Sequence, residues 1–224
     1  MQTESTNPDI VITKRNGSSQ RFHINKQITY LKGLSSLSPR LTHIDSSLVS
    51  NMLTLGSNMT TVDLANHVAE VCATLAVRHW EYGALGGRVV VSMIHRQTPK
   101  TFLESVLSLK STLSKEFVEC CIRNAAQLND MVVHNRDFQY DIMGIRTLQR
   151  SYLLKVHNVV VERPQYMLMR VAVALHGDNL EMVSKTYEAT SKMLYTHATP
   201  TLFHAGLAKQ QLASCFLMTM TQDS

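Results

Sequence analysis

No stretch of about 18 apolar residues occurs anywhere in the chain, which excludes a transmembrane helix and a membrane partner. The N-terminus lacks the short apolar segment of a secretory signal. Cysteine is scarce: Cys72, Cys120, Cys121 and Cys215, with two of them adjacent and none at C-x-x-C spacing. That pattern makes no disulfide framework and fits a reducing, cytoplasmic compartment. The ten histidines show neither H-x-x-x-H nor Cys/His zinc spacing, so no metal site is expected. Runs of basic residues are also missing. The net charge of +5 is spread along the chain, without the basic stripe of a duplex-binding protein. No nucleic-acid partner is expected, while anionic small molecules such as nucleotides suit the mild surplus. No internal repeat or low-complexity segment is present.

What is there reads as a globular, mainly helical protein: 44% of residues are hydrophobic and 17% charged, enough for a sizeable core. The polar start, residues 1–9, reads as a flexible tail. Ile10-Val11-Ile12, then Asn16-Gly17, then Arg21-Phe22-His23-Ile24 read as a hairpin, with Asn-Gly taking the two positive φ angles of a type I′ turn. A helix is expected from about Asn25 to Leu34. Thr60 and Asp63 form a capping box, after which Leu64, Val68, Val71 and Leu75 fall on one helical face. Tyr82–Ile94 reads as another helix, in which Gly86-Gly87 points to close helix packing.

Thr98-Pro99 marks a boundary. Helical patterns resume over Phe102–Leu113 and Lys115–Leu128, and Tyr140–Gly144 reads as irregular. Pro164 suits the first position of a helix with Leu168, Val171, Ala172 and Leu175 inward and Gly177 as its C-cap. Asp178 with Glu181 reads as a second capping box, for a helix turning Leu180, Val183, Tyr187 and Leu194 inward. Pro200 and Gly206 bracket a loop. Cys215–Met220 reads as a buried strand with Cys215, Leu217 and Thr219 on one face. Such a strand needs neighbours on both sides, so the chain is expected to be a piece of something longer.

Three stretches carry a resemblance. Arg150-Ser151-Tyr152-Leu153-Leu154-Lys155 is followed by Glu162-Arg163-Pro164-Gln165-Tyr166-Met167-Leu168-Met169-Arg170. Next comes Thr196-His197-Ala198-Thr199-Pro200-Thr201-Leu202-Phe203-His204-Ala205-Gly206, and last Gln211-Leu212-Ala213-Ser214-Cys215-Phe216-Leu217-Met218. In this order they closely resemble the large subunit of eukaryotic-type class I ribonucleotide reductase. The match is dense from about Asp137 onward and looser over Val11–Arg96.

The resemblance implies a division into the tail 1–9, an ATP-cone-like unit 10–98 (hairpin plus helices), a helical domain 99–195, and 196–224 as the start of a ten-stranded α/β barrel. It implies reduction of ribonucleoside diphosphates to deoxyribonucleotides by thiyl-radical chemistry. Cys215 matches the first cysteine of the redox pair, Thr199 and Ser214 match substrate contacts, and Asp223 matches an acidic residue of the site for deoxyribonucleotide effectors. Lys14, Arg15, Lys26, Thr61 and Arg96 match the ATP or dATP site of the cone. Gln20 and Ala65 depart from it, standing where Glu and where Asp or His are common, and Asn16 replaces an Asp. Further implications are a small subunit holding the radical cofactor, a homo-oligomer, and thioredoxin or glutaredoxin as reductant. The thiyl cysteine and second redox cysteine of the family match nothing in this chain, which alone is not expected to turn over substrate. Apart from the resemblance, Cys215 would be read as a buried core cysteine. A different reading is a catalytically inactive short paralogue that binds nucleotide and regulates a full-length subunit.

Overall fold

The computed structural model describes residues 10–56 and 59–219. In chain order these form β1 (Val11–Thr13), β2 (Ser19–Arg21), α1 (Ile24–Ser35), α2 (Ser46–Asn51), β3 (Met59–Thr60), α3 (Thr61–Leu75) and α4 (Trp80–Gln97). Then follow α5 (Phe102–Ser108), α6 (Lys115–Arg123), α7 (Ala125–Met131), a 3-10 turn at His134–Gln139, α8 (Ile142–Thr147) and a π-helical turn at Leu148–Tyr152. The hairpin β4 (Lys155–Val156) and β5 (Val159–Val160) precedes α9 (Pro164–His176), α10 (Leu180–Ser191) and α11 (Thr199–His204). No helix among the described residues is long and apolar enough to cross a membrane. The chain divides into two compact units. One runs to Arg96 and takes in Phe138–Thr147; the other comprises Gln97–Asp137 and the residues from Leu148 on.

In the first unit β1 lies between β2, antiparallel, and β3, parallel. The turn joining β1 to β2 differs from expectation. Only Gly17 takes a positive φ, 77°; its N–H donates to the Lys14 carbonyl and the Lys14 N–H to the Ser18 carbonyl. That is a three-residue loop with glycine at the left-handed position, and it brings the return strand in at Ser19, before Arg21. The Thr60–Asp63 capping box forms, with the Asp63 N–H donating to Thr60 Oγ1 at 3.1 Å and the Thr60 N–H to Asp63 Oδ2 at 3.0 Å. Leu31, Val49, Val68, Cys72, Leu85, Val89 and Val91 are fully buried, each apolar side chain contributing about 1.5–3 kcal/mol. Gly86 and Gly87 do mark a close approach. A Cβ on Gly86 would lie 3.0 Å from the Cys72 Cβ, and Gly87 abuts the backbone of Tyr140 and Asp141. Arg88, buried, donates to the carbonyls of Leu34, Leu37 and Pro39, closing the C-terminal end of α1.

The second unit is organised by α9. Pro164 occupies its first turn and Gly177, at φ 57°, ends it, as the sequence predicts. Glu162 and Arg170 form a buried ion pair, Nε to Oε1 2.7 Å. Arg163 donates to Thr98 Oγ1 at 2.8 Å, and the Gln165 N–H to Asp137 Oδ1 at 3.0 Å. Tyr187 on α10 donates its hydroxyl hydrogen to Gln165 Oε1 at 2.8 Å. The Glu-Arg-Pro-Gln run is thus a set of cross-ties between elements distant in sequence.

Several expectations are corrected. Asn179, not Asp178, caps α10 by accepting from the Met182 N–H; Asp178 is drawn away by Arg123, Asn124 and the Cys120 thiol. Leu194 lies beyond the end of α10 and is 75% exposed, since the helix stops at Ser191. Asn124 interrupts the run over Lys115–Leu128, so α6 and α7 are separate. Tyr140 and Asp141 are irregular as expected, but 142–144 belong to α8, and the stretch between Pro200 and Gly206 is largely helical as α11. Residues 215–219 form no strand and are exposed, Leu217 fully so. A strand's backbone groups need partner strands, and none pairs with this run among the described residues.

Candidate functional site

In the first unit a cavity of about 310 Å³ opens between β1, β2, α1 and α3. Lys14 follows β1, Arg21 ends β2, Lys26 lies in the first turn of α1, Thr61 opens α3 and Arg96 lies in the last turn of α4; all five line the cavity. Among the described residues no Asp or Glu lines the cavity, and the basic side chains of Lys14, Arg21, Lys26 and Arg96 gather positive charge along a concave wall. The α3 N-terminus adds the partial positive charge of its backbone dipoles at Thr61. Ile12, Phe22, Tyr30, Leu64 and Ala65 supply an apolar side. The Arg96 guanidinium sits 5.4 Å from the Tyr30 ring centre, within cation–π range. The cavity therefore combines a flat apolar wall with convergent cations, the chemistry that receives a base at one end and phosphates at the other.

Of the residues singled out for nucleotide binding, Lys14, Lys26, Thr61 and Arg96 meet here, together with Gln20 and Ala65, the two departures. Arg15 does not line the cavity. Its Nη1 donates to the main-chain carbonyl of Arg96, so it acts on the position of that residue. The sequence reading missed Arg21, His23 and Tyr30. Helical spacing could have found Tyr30, one turn after Lys26 on the same face of α1.

The second unit holds the remaining candidates. Thr199 is exposed at the start of α11, with Oγ1 3.2 Å from the Tyr152 hydroxyl. Ser214 and Cys215 lie in the exposed run beyond it, the Ser214 hydroxyl 3.8 Å from the Cys215 Sγ. Thr201 Oγ1 donates to the Leu212 carbonyl, and the His204 ring meets the Gln211 carbonyl at 3.0 Å; these contacts moor the Ser214–Cys215 run to the helix bearing Thr199. Arg170 reaches the same helix, donating to the carbonyls of Leu202 and Ala205. Cys215 is an exposed free thiol, whereas Cys72, Cys120 and Cys121 are buried. Burial pushes the Cys72 thiol up to about 12 and raises that of Cys121 further. Asp223 lies outside the described residues.

These features define a mainly helical protein with a cation-lined pocket in one unit and an accessible thiol in the other. Residues 138–210 match the family of the ribonucleotide reductase all-alpha domain. The chain is 42% identical to the ribonucleoside-diphosphate reductase large subunit of Arabidopsis thaliana, over 95% of this chain and 28% of that one. It is 37% identical to the large subunit of Dictyostelium discoideum over 99% of this chain and 27% of that one.. With large chain 2 of Saccharomyces cerevisiae the identity is 38%, over 95% and 26% respectively. The chain belongs to the ribonucleotide reductase large-subunit family, a family of oxidoreductases. It spans about a quarter of the length of the curated relatives it matches, between 24% and 29%.

Proposed function

We propose that this chain is a nucleotide-regulated portion of a class I ribonucleoside-diphosphate reductase large subunit. Residues 10–98 would be an ATP-cone-like unit, 99–195 a helical domain, and 196–224 the start of the catalytic α/β barrel. The observation that carries the reading is the convergence of Lys14, Lys26, Thr61 and Arg96, distant in sequence, on one cavity that no carboxylate lines among the described residues. In this reading ATP or dATP binds with its phosphates on Lys14, Lys26 and Arg96 and its base against the Tyr30 and Leu64 side. Arg15 holds Arg96 in place.

Cys215 is assigned the first position of the redox pair. Two cysteine thiols would give two electrons and two protons to the ribose 2′ position, the hydroxyl leaving as water and the sulfurs joining as a disulfide. The accessible Cys215 thiol supports that role, since exchange chemistry requires access. Thr199 and Ser214 would contact the ribonucleoside diphosphate, and Asp223 a deoxyribonucleotide effector. A radical-bearing small subunit, a homo-oligomer, thioredoxin or glutaredoxin as reductant, and a cytoplasmic setting complete the reading.

The test is titration of the full chain with ATP and dATP by calorimetry. Stoichiometric binding that falls about tenfold or more in both Lys14→Ala and Arg96→Ala is expected, given what a charge-assisted phosphate contact contributes. Absence of binding, or affinity indifferent to both substitutions, removes the nucleotide-site reading.

A further inference from the structure

We propose that His43, His79 and Glu81 form a binding site for a divalent transition-metal ion of the zinc class, separate from the nucleotide cavity. His43 lies on the segment between α1 and α2, His79 just before α4, and Glu81 in the first turn of α4. One ligand atom from each lies within 4.8 Å of the other two, and none of the three lines the cavity.

The arrangement is built around a buried carboxylate. Glu81 is 4% exposed. Its Oε2 accepts from the His43 backbone N–H at 2.6 Å, and its Oε1 lies 3.2 Å from His43 Nδ1. Burial opposes the charged form of Glu81. The hydrogen bonds from the His43 backbone and ring and the proximity of the two imidazoles outweigh it, holding the carboxyl below its usual range. The two imidazoles lie 4.5 Å apart, centre to centre, tilted by 35°. His79 is fixed in turn by the Glu81 N–H, 3.3 Å from its Nδ1.

Zinc binds imidazole nitrogen and carboxylate oxygen at about 2.0–2.2 Å, which sets neighbouring tetrahedral ligands roughly 3.3 Å apart. The Glu81–His43 pair already stands at that separation, and the His43 side chain is 65% exposed, so an ion can reach it from solvent. Two imidazoles with one carboxylate favour zinc, copper or nickel over magnesium or calcium, which prefer all-oxygen sites. Three protein ligands leave a fourth position for water. The backbone around the site is anchored independently of any ion: Arg88 holds the Pro39 carbonyl, and the Tyr82 hydroxyl accepts from the Asp45 N–H at 3.2 Å. A bound ion would clamp the α1–α2 segment to the start of α4.

Zinc is titrated into the chelator-treated full chain, followed by calorimetry, and cobalt is substituted to read the visible ligand-field bands. One ion per chain is expected. Both His43→Ala and His79→Ala should weaken binding about tenfold or more and abolish the cobalt bands, because losing a ligand exceeds the effect of losing an outer partner. His157→Ala, on the other unit, should bind as the parent does. Circular dichroism in chelator confirms that the variants remain folded. No stoichiometric binding, or binding that survives either ligand substitution, overturns the proposal.

Discussion

Gly87 presses against the carbonyl of Tyr140 so closely that a methyl group there would stand 2.2 Å from the oxygen. The obstacle is backbone, which has no rotamer to yield. Gly87→Ala is therefore expected to destabilise the protein by about 3 kcal/mol, the upper range for overpacking. Gly83, four residues earlier on α4, would place its Cβ at an ordinary 3.5 Å from Ala76. Gly83→Ala should be neutral or stabilise by up to about 1 kcal/mol through helix propensity. Urea denaturation midpoints of the two variants decide the matter, and equal effects would contradict this packing.

Arg170 and Glu162 neutralise each other away from water while Arg170 also ties down two carbonyls of the α11 region. Arg170→Met leaves a buried carboxylate alone and is expected to cost about 3–5 kcal/mol. Adding Glu162→Gln should recover part of that loss by removing the orphaned charge. A double variant no more stable than the single one would show that the charge pairing matters little.

Cysteine accessibility separates one thiol from three. Alkylation under native conditions, followed by peptide mapping, should label Cys215 first and Cys72 and Cys121 only on unfolding, since both are buried with raised thiol pKa values. Labelling of Cys72 as fast as Cys215 would refute the assignment.

Glu188 bridges Arg136 and Lys192, and their hydrogen bonds hold its carboxyl at about 2, below the ordinary 4.5. A depressed carboxylate stabilises the fold above its unfolded value and loses that contribution as pH falls towards its folded one. Glu188→Gln should thus be less stable than the parent at neutral pH, modestly because the side chain is 38% exposed. The gap should narrow between pH about 4.5 and about 2. A stability difference independent of pH across that window would exclude the linkage.

Local rules were readable in the sequence where the partners are neighbours in the chain. Thr60 and Asp63, Pro164 and Gly177, and the paired glycines of α4 all do what their residue types predict. Positions decided by distant partners were not readable. The two consecutive positive φ angles fall at His157 and Asn158, in the tight β4–β5 hairpin, rather than at Asn16-Gly17. Strand twist demanded that geometry there, and Asn158 tolerates it. Asp178 was lost to the cap of α10 because a guanidinium and an amide compete for it. At the cavity, the matched residues could be named and Tyr30 lay one helical turn from Lys26, but Arg21 and His23 enter only through tertiary packing. The trio His43, His79 and Glu81 follows no ligand spacing, so only the fold reveals it.

The stretch Phe138–Thr147 belongs to the first unit although more than forty residues of the second intervene.. Arg146 donates to Asn66 on α3, Phe138 meets the His95 ring, and the Ile142 side chain covers Gly86. The unit that holds the cation-lined cavity is consequently not a contiguous cassette. Any recombinant piece or domain graft that ends near residue 98 discards one of its walls, and a faithful excision must carry the later stretch along or supply a substitute for it.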